Sequence, residues 1–142
     1  MVWVGGASQT FCRDAQSLLS VGDPAPPIDI AHWVKGMERN SRGDFQPLTN
    51  FGDGNIYVIE FWATWCKPCV AGMPHLSNLQ QEFAEENVTV IGISDEPLQR
   101  VENFLLKDMA RTDYIIATDP DRSVYSDYLV GSGDTGIPRA FV

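Results

Sequence analysis

The stretch Ile56 to Pro74, IYVIEFWATWCKPCVAGMP, leaves a chain few ways to fold. Ile56 to Trp62 is almost continuously apolar, broken by Glu60, as expected of a strand buried on both faces. After Cys66-Lys67-Pro68-Cys69 the apolar residues Val70, Met73, Leu76, Leu79 and Phe83 recur at steps of three and four, the stripe of a helix. Two thiols therefore sit at a strand-to-helix junction. A spacing of three puts both on one helix face, close enough for a tight disulfide. Cys66 falls at the helix N-terminus, where unpaired N–H groups and the macrodipole favour a thiolate over a thiol. The thiolate is the nucleophile of disulfide exchange, so Cys66 is the candidate attacking group. Pro74 removes one intrahelical hydrogen bond and is expected to kink the helix after its first two turns.

The flanking sequence repeats this alternation. Val88 to Ile93 reads as another buried strand, and Asp95-Glu96-Pro97 as a helix start, with Leu98, Val101, Leu105 and Met109 on its inner face. Tyr114 to Ala117 reads as a strand, Thr118 to Asp121 as a turn and Arg122 to Leu129 as a short helix. A glycine-rich loop, Gly131 to Gly136, leads to a last strand at Ile137 to Val142. Upstream, the prolines of Val21 to Pro27 impose an extended strap. Ile28 to Ile30 alternates, and His32 to Gly36 continues as an edge strand. With the polar loop Asn40 to Asp44 and the turn Asn50 to Asn55, these predict a β-hairpin ahead of the central strand. Buried strands alternating with helices imply right-handed crossover units and a sheet covered on both faces. Residues 1–20 read as a loose arm, with a helical turn or two at Asp14 to Leu19, and residues 21–142 as one domain.

A formal charge of −9 and a pI near 4.4 argue against sequence-independent binding to nucleic acid or an anionic membrane. Three cysteines are too few for a disulfide framework. Cys12, in the arm, is either a thiol without a role or a resolving or dimer-forming cysteine. No apolar run is long enough to span a bilayer, and MVWVGGASQTFCRD lacks the regions of a signal peptide. The chain thus reads as soluble: cytoplasmic if Met1 is the native start, exported to the periplasm if a leader has been removed. Phe141-Val142 lies within a predicted strand, as in a fragment of a longer product.

Trp62-Ala63-Thr64-Trp65-Cys66-Lys67-Pro68-Cys69, with Pro74 and Ile137-Pro138 downstream, resembles the thioredoxin superfamily. The VGDPAPP strap, the FWATWC spelling and the long segment before Pro138 resemble its redoxin branch, the TlpA-like thiol-disulfide oxidoreductases related to peroxiredoxins, over Val21 to Val142. The resemblance implies an α/β/α sandwich, Cys66 attacking and Cys69 resolving, and a cis Ile137–Pro138 bond facing the thiols. The family's final antiparallel strand and C-terminal helix have no counterpart before Val142, which predicts one uncovered sheet face. The implied activity is exchange with protein disulfides, without a bound cofactor and with a dithiol partner to reset the site. A peroxidase-like redoxin is a rival reading, weakened because Cys69 would trap Cys66 as a disulfide. A non-catalytic binding module is another.

Glu60 is a carboxylate in a buried strand, so its pKa is expected to rise toward the range useful for proton transfer. Thioredoxins carry an acidic residue at the matching place beneath the resolving cysteine, which implies that Glu60 deprotonates Cys69. Its bland alternative is a salt-bridged or strand-edge glutamate. Lys67 and Pro68 are expected to tune the thiols, Pro68 by fixing the first helical turn and Lys67 by its charge. Trp65 is expected to be partly exposed and to contact a substrate together with Ile137, Pro138 and Arg139, and Trp62 to lie in the core. Arg139 replaces a small or hydroxylated residue of many relatives, and either favours an acidic partner or points to solvent. Zinc on His32, His75 and the thiols lacks the spacing of a second ligand pair, so no metal is assigned. Asp95-Glu96 and Asp119-Pro120-Asp121 read as helix-start charge and turn chemistry rather than a cation site.

Overall fold

The computed structural model describes residues 18–30, 32–36, 51–108 and 112–142. Among the described residues there are five strands: β1 (His32–Lys35), β2 (Ile56–Trp62), β3 (Val88–Ser94), β4 (Ile115–Thr118) and β5 (Arg139–Phe141). Helix α1 (Lys67–Glu82) joins β2 to a 3₁₀ turn at Ala84–Glu86, and α2 (Leu98–Asp108) joins β3 to β4. A short α3 (Ser123–Tyr125) runs into a π-helical turn at Ser126–Val130. The strands lie in one sheet, ordered β1-β4-β3-β2-β5. β2, β3 and β4 are parallel, while β1 and β5 close the edges antiparallel.

The strands β2, β3 and β4 step across the sheet in one direction. Two right-handed crossovers in the same direction place their helices on the same face. Met73 of α1 and Val101 and Leu105 of α2 accordingly share one core with Trp62, Val90, Tyr114, Ile116, Cys66 and Cys69. The opposite face presents Ile59, Phe61, Ile91, Ile93 and Ala117, covered by Ile28 and Ile30 of the strap and by Val124, Tyr128 and Leu129. Tyr128 ties down the strap by donating its hydroxyl hydrogen bond to the Pro26 carbonyl at 2.6 Å. Beside this cover an open cleft remains, lined by Leu19, Phe51, Tyr57, Ile59, Phe141 and Val142.

Helix α1 continues through Pro74 without interruption. Its C-terminal half is pinned to the sheet by Gln80, whose amide donates to the Val88 carbonyl and accepts from the Val90 N–H at 2.9 and 2.8 Å. Ser77 Oγ accepts the Asp113 N–H at 3.0 Å, fixing the approach to β4. The predicted strand at Tyr114 to Ala117 is observed one residue later, and Leu18 and Leu19 are not helical. The first limb of the expected hairpin is β1, which pairs with β4. Its return limb and the polar loop Asn40 to Asp44 lie outside the described residues, as do Cys12, Asp14 and Met109.

Candidate active site

The residues at the start of α1 explain where the cysteines go. Cys66 has extended backbone angles, φ −80° and ψ 94°, and caps the helix. Its carbonyl accepts the first helical bond, from Val70 N–H at 3.0 Å, while its Sγ accepts the Cys69 N–H at 3.3 Å. Pro68 in the first turn has no N–H to leave unpaired there, and no carboxylate in that turn opposes the positive end of the helix. Cys66 and Cys69 are joined as a disulfide with their Cα atoms 5.2 Å apart. Both are buried, yet Trp65 beside them is 67% exposed, and Lys67 and Pro68 are exposed as well. Trp62 is in the core.

Glu60 pairs in register with Gly92 of β3 and Ala140 of β5, in the middle of the sheet. Alternation along β2 turns it to the same face as Trp62, the face that carries the cysteine core. It is 7% exposed, and burial pushes its carboxyl up from 4.5 to about 7. Oε2 has no hydrogen-bond partner among the described residues. The bland alternative of a salt-bridged glutamate finds no ion pair among the described residues.

Ile137 is half-buried and packs against both cores, including the one that holds the two cysteines. The Ile137–Pro138 peptide bond is cis. Pro138 is exposed and leads into β5. Arg139 is answered within the chain: its Nη1 lies 2.7 Å from Asp134 Oδ2. His75 is exposed on α1, and His32 sits on the far edge strand with β4 and β3 between it and β2, so the structure does not gather them with the thiols. Asp119 and Asp121 cap the turn of α3, accepting the Tyr125 N–H at 2.7 Å and the Ser123 N–H at 3.1 Å.

The residue missed by sequence reasoning is Glu96. It is 5% exposed and holds the loop before Cys66: Oε2 accepts the Thr64 N–H at 2.6 Å, and Oε1 accepts Thr64 Oγ1 at 2.8 Å. Ser94 Oγ at 3.2 Å and Arg100 Nη1 at 3.4 Å complete its partners. The sequence signal was an acidic residue before a proline, which fits a helix start equally well. Only the parallel pairing of β2 with β3 brings the two loops together.

Comparison with known proteins gives a match between residues 21–142 and the model of the AhpC/TSA family. The protein FixW of Rhizobium leguminosarum is 30% identical over 134 residues, covering 89% of this chain and 57% of that protein. The thiol-disulfide oxidoreductase ResA of Oceanobacillus iheyensis is 25% identical over 119 residues, 84% of this chain and 59% of ResA. The chain thus spans little more than half the length of these curated relatives. Among solved structures, the thioredoxin domain of a thiol-disulfide oxidoreductase from Bacteroides vulgatus superposes with a TM-score of 0.62 at 21% identity, covering 86% of this chain and 79% of that one.

Proposed function

This chain belongs to the AhpC/TSA family, and we propose that it is a thiol-disulfide oxidoreductase acting on protein disulfides through Cys66 and Cys69. The observation that carries this reading is the disulfide between the helix cap Cys66 and Cys69, set at the positive end of α1. In the reduced protein the Cys66 thiolate attacks one sulfur of a substrate disulfide. The substrate S–S bond breaks, its departing sulfur takes a proton from solvent, and a mixed disulfide forms. Cys69 then loses its proton to Glu60 and attacks Cys66 Sγ. The mixed disulfide breaks, the second substrate sulfur departs as a thiolate and takes the proton from Glu60, the substrate leaves as a dithiol, and Cys66–Cys69 closes with two electrons passed to the substrate. A dithiol partner resets the pair, and the same steps reversed oxidise a substrate. Trp65, Ile137 and Pro138 flank the pair and supply the surface on which a substrate segment lies, with Lys67 and Pro68 tuning the thiols.

The names of relatives support this class of reaction: ResA proteins of several Bacillus species are called thiol-disulfide oxidoreductases. An insulin-reduction assay tests it. The intact protein should accelerate precipitation of the insulin B chain in dithiothreitol, Cys66→Ser should abolish the acceleration, and Cys69→Ser should abolish it while accumulating mixed disulfide. Turnover retained by Cys66→Ser, or an inactive intact protein, would overturn the reading.

A further inference from the structure

The segment between the π-helical turn and β5 has little side chain with which to pack. Gly131 to Gly136 reads GSGDTG, and Gly133 has φ +77°. Such a sequence holds one conformation only where hydrogen bonds impose it. Here they converge on Asp134. Its N–H donates to the carbonyl of Leu129, a fully buried core residue, at 2.9 Å. Its Oδ1 accepts the Gly136 N–H at 3.0 Å, and its Oδ2 lies 2.7 Å from Arg139 Nη1. Between Gly136 and Arg139 stand only Ile137 and Pro138. One carboxylate therefore grips the chain on both sides of that pair.

We propose that Asp134 is the positioning residue for the Ile137–Pro138 surface, fixing it against the cysteine core before a substrate segment arrives. The inference rests on the oxidoreductase reading, in which that surface receives the substrate. Ile137 packs against both cores, including the one that holds Cys66 and Cys69, so a displacement of the loop is passed to the contact beside the disulfide. β5 is a short hold on the loop: it pairs with β2 at three residues, and Arg139 opposite Phe61 is the first of them. Tyr125 adds a second hold. Its hydroxyl donates to the Thr135 carbonyl at 2.9 Å, while its ring meets Phe61 edge-on at 5.8 Å and lies under the Arg122 guanidinium at 4.2 Å. The side chains of Arg139 and Asp134 are 47% and 37% exposed, and an ion pair so exposed contributes little to folding stability. Its effect falls on the geometry of the loop. Held in advance, the loop loses little freedom when a peptide lies along it, which is how preorganisation improves affinity.

The test compares two disulfides as oxidants of the reduced protein, followed by Trp65 fluorescence as the Cys66–Cys69 bond closes. One is an uncharged peptide long enough to lie along the loop. The other is hydroxyethyl disulfide, which needs only access to the Cys66 sulfur. Asp134→Ala should slow the second-order reaction with the peptide roughly tenfold, the scale of ordering a loop on binding, and leave that with hydroxyethyl disulfide unchanged. Arg139→Gln releases the same grip from the other side and changes net charge in the opposite sense. It should slow the peptide as well, by less because the Gly136 bond survives. The double variant should be no slower than Asp134→Ala, since both changes break one unit. Urea midpoints should stay in place, while amide exchange at Gly136 in the oxidised protein, read by NMR, should quicken in Asp134→Ala. An unchanged peptide rate in Asp134→Ala, opposite effects of the two single variants, or equal slowing with both disulfides would each overturn the inference. Quickened exchange in a protein whose intact form reduces neither disulfide would sink the oxidoreductase reading and leave the clamp standing. Unchanged exchange would overturn the clamp whatever the turnover.

Discussion

At the scale of single residues, Glu60 is costly to the fold. Its carboxyl is raised from 4.5 to about 7 by burial, so the native state binds its proton more tightly than the unfolded chain does. Stability contributed by that proton is fully present below about pH 4.5 and is lost as pH rises toward 7, by about 3 kcal/mol in all. Glu60→Gln should therefore leave stability nearly unchanged at pH 4.5 and raise it by about 3 kcal/mol at pH 8, as read from urea midpoints at the two pH values. The same variant should slow resolution of the mixed disulfide near pH 7 by roughly a hundredfold, the scale of a lost general base, in stopped-flow quench of the Cys66 adduct. A variant that is more stable and equally fast would separate the burial of Glu60 from its assigned role.

At the scale of elements, the site depends on the joint between two loops. The turn from β2 to α1 carries Cys66, and the turn from β3 to α2 carries Glu96, whose carboxylate takes both the N–H and the hydroxyl of Thr64. Thr64→Val keeps the shape and deletes the hydroxyl bond to a charged acceptor, so it should cost about 1.5–3 kcal/mol in urea denaturation. Amide exchange at Cys66 and Trp65 should quicken more than exchange in β4. This joint also marks where reading the sequence stops. The strand-helix alternation, the apolar stripe of α1, the capping place of Cys66 and the burial of Glu60 follow from local pattern and are observed. Glu96 does not announce itself, because its role exists only once β2 and β3 lie side by side and bring their loops together. Arg139, read as favouring an acidic partner or pointing to solvent, is exposed and also pairs with Asp134, five residues earlier in the chain.

At the scale of the whole molecule, the charge of −9 sets the field that a substrate meets before it reaches the disulfide. At about 0.01 M salt the Debye length is about 30 Å, so charges all over a chain of this size act at the site. At about 0.15 M it shrinks to about 8 Å, and only neighbours of the cysteines count. Those neighbours differ in sign from the rest: Lys67 is exposed directly beside Cys66, while Arg139 is neutralised by Asp134 and Glu96 is buried. Far field and near field therefore oppose each other. At low salt a peptide disulfide flanked by lysines should react with the reduced protein roughly tenfold faster than the same disulfide flanked by glutamates, through attraction in the encounter step. Raising salt to about 0.15 M should collapse that preference, since the surviving term is the single positive charge of Lys67. Lys67→Glu should restore a preference for the cationic peptide at the higher salt, because the local term then has the sign of the whole. The measurement is the second-order rate of mixed-disulfide formation, followed by fluorescence of the exposed Trp65, for both peptides at both salt concentrations. A preference for the anionic peptide at low salt would mean that the field at the disulfide is set by Lys67 alone and that net charge does not reach it.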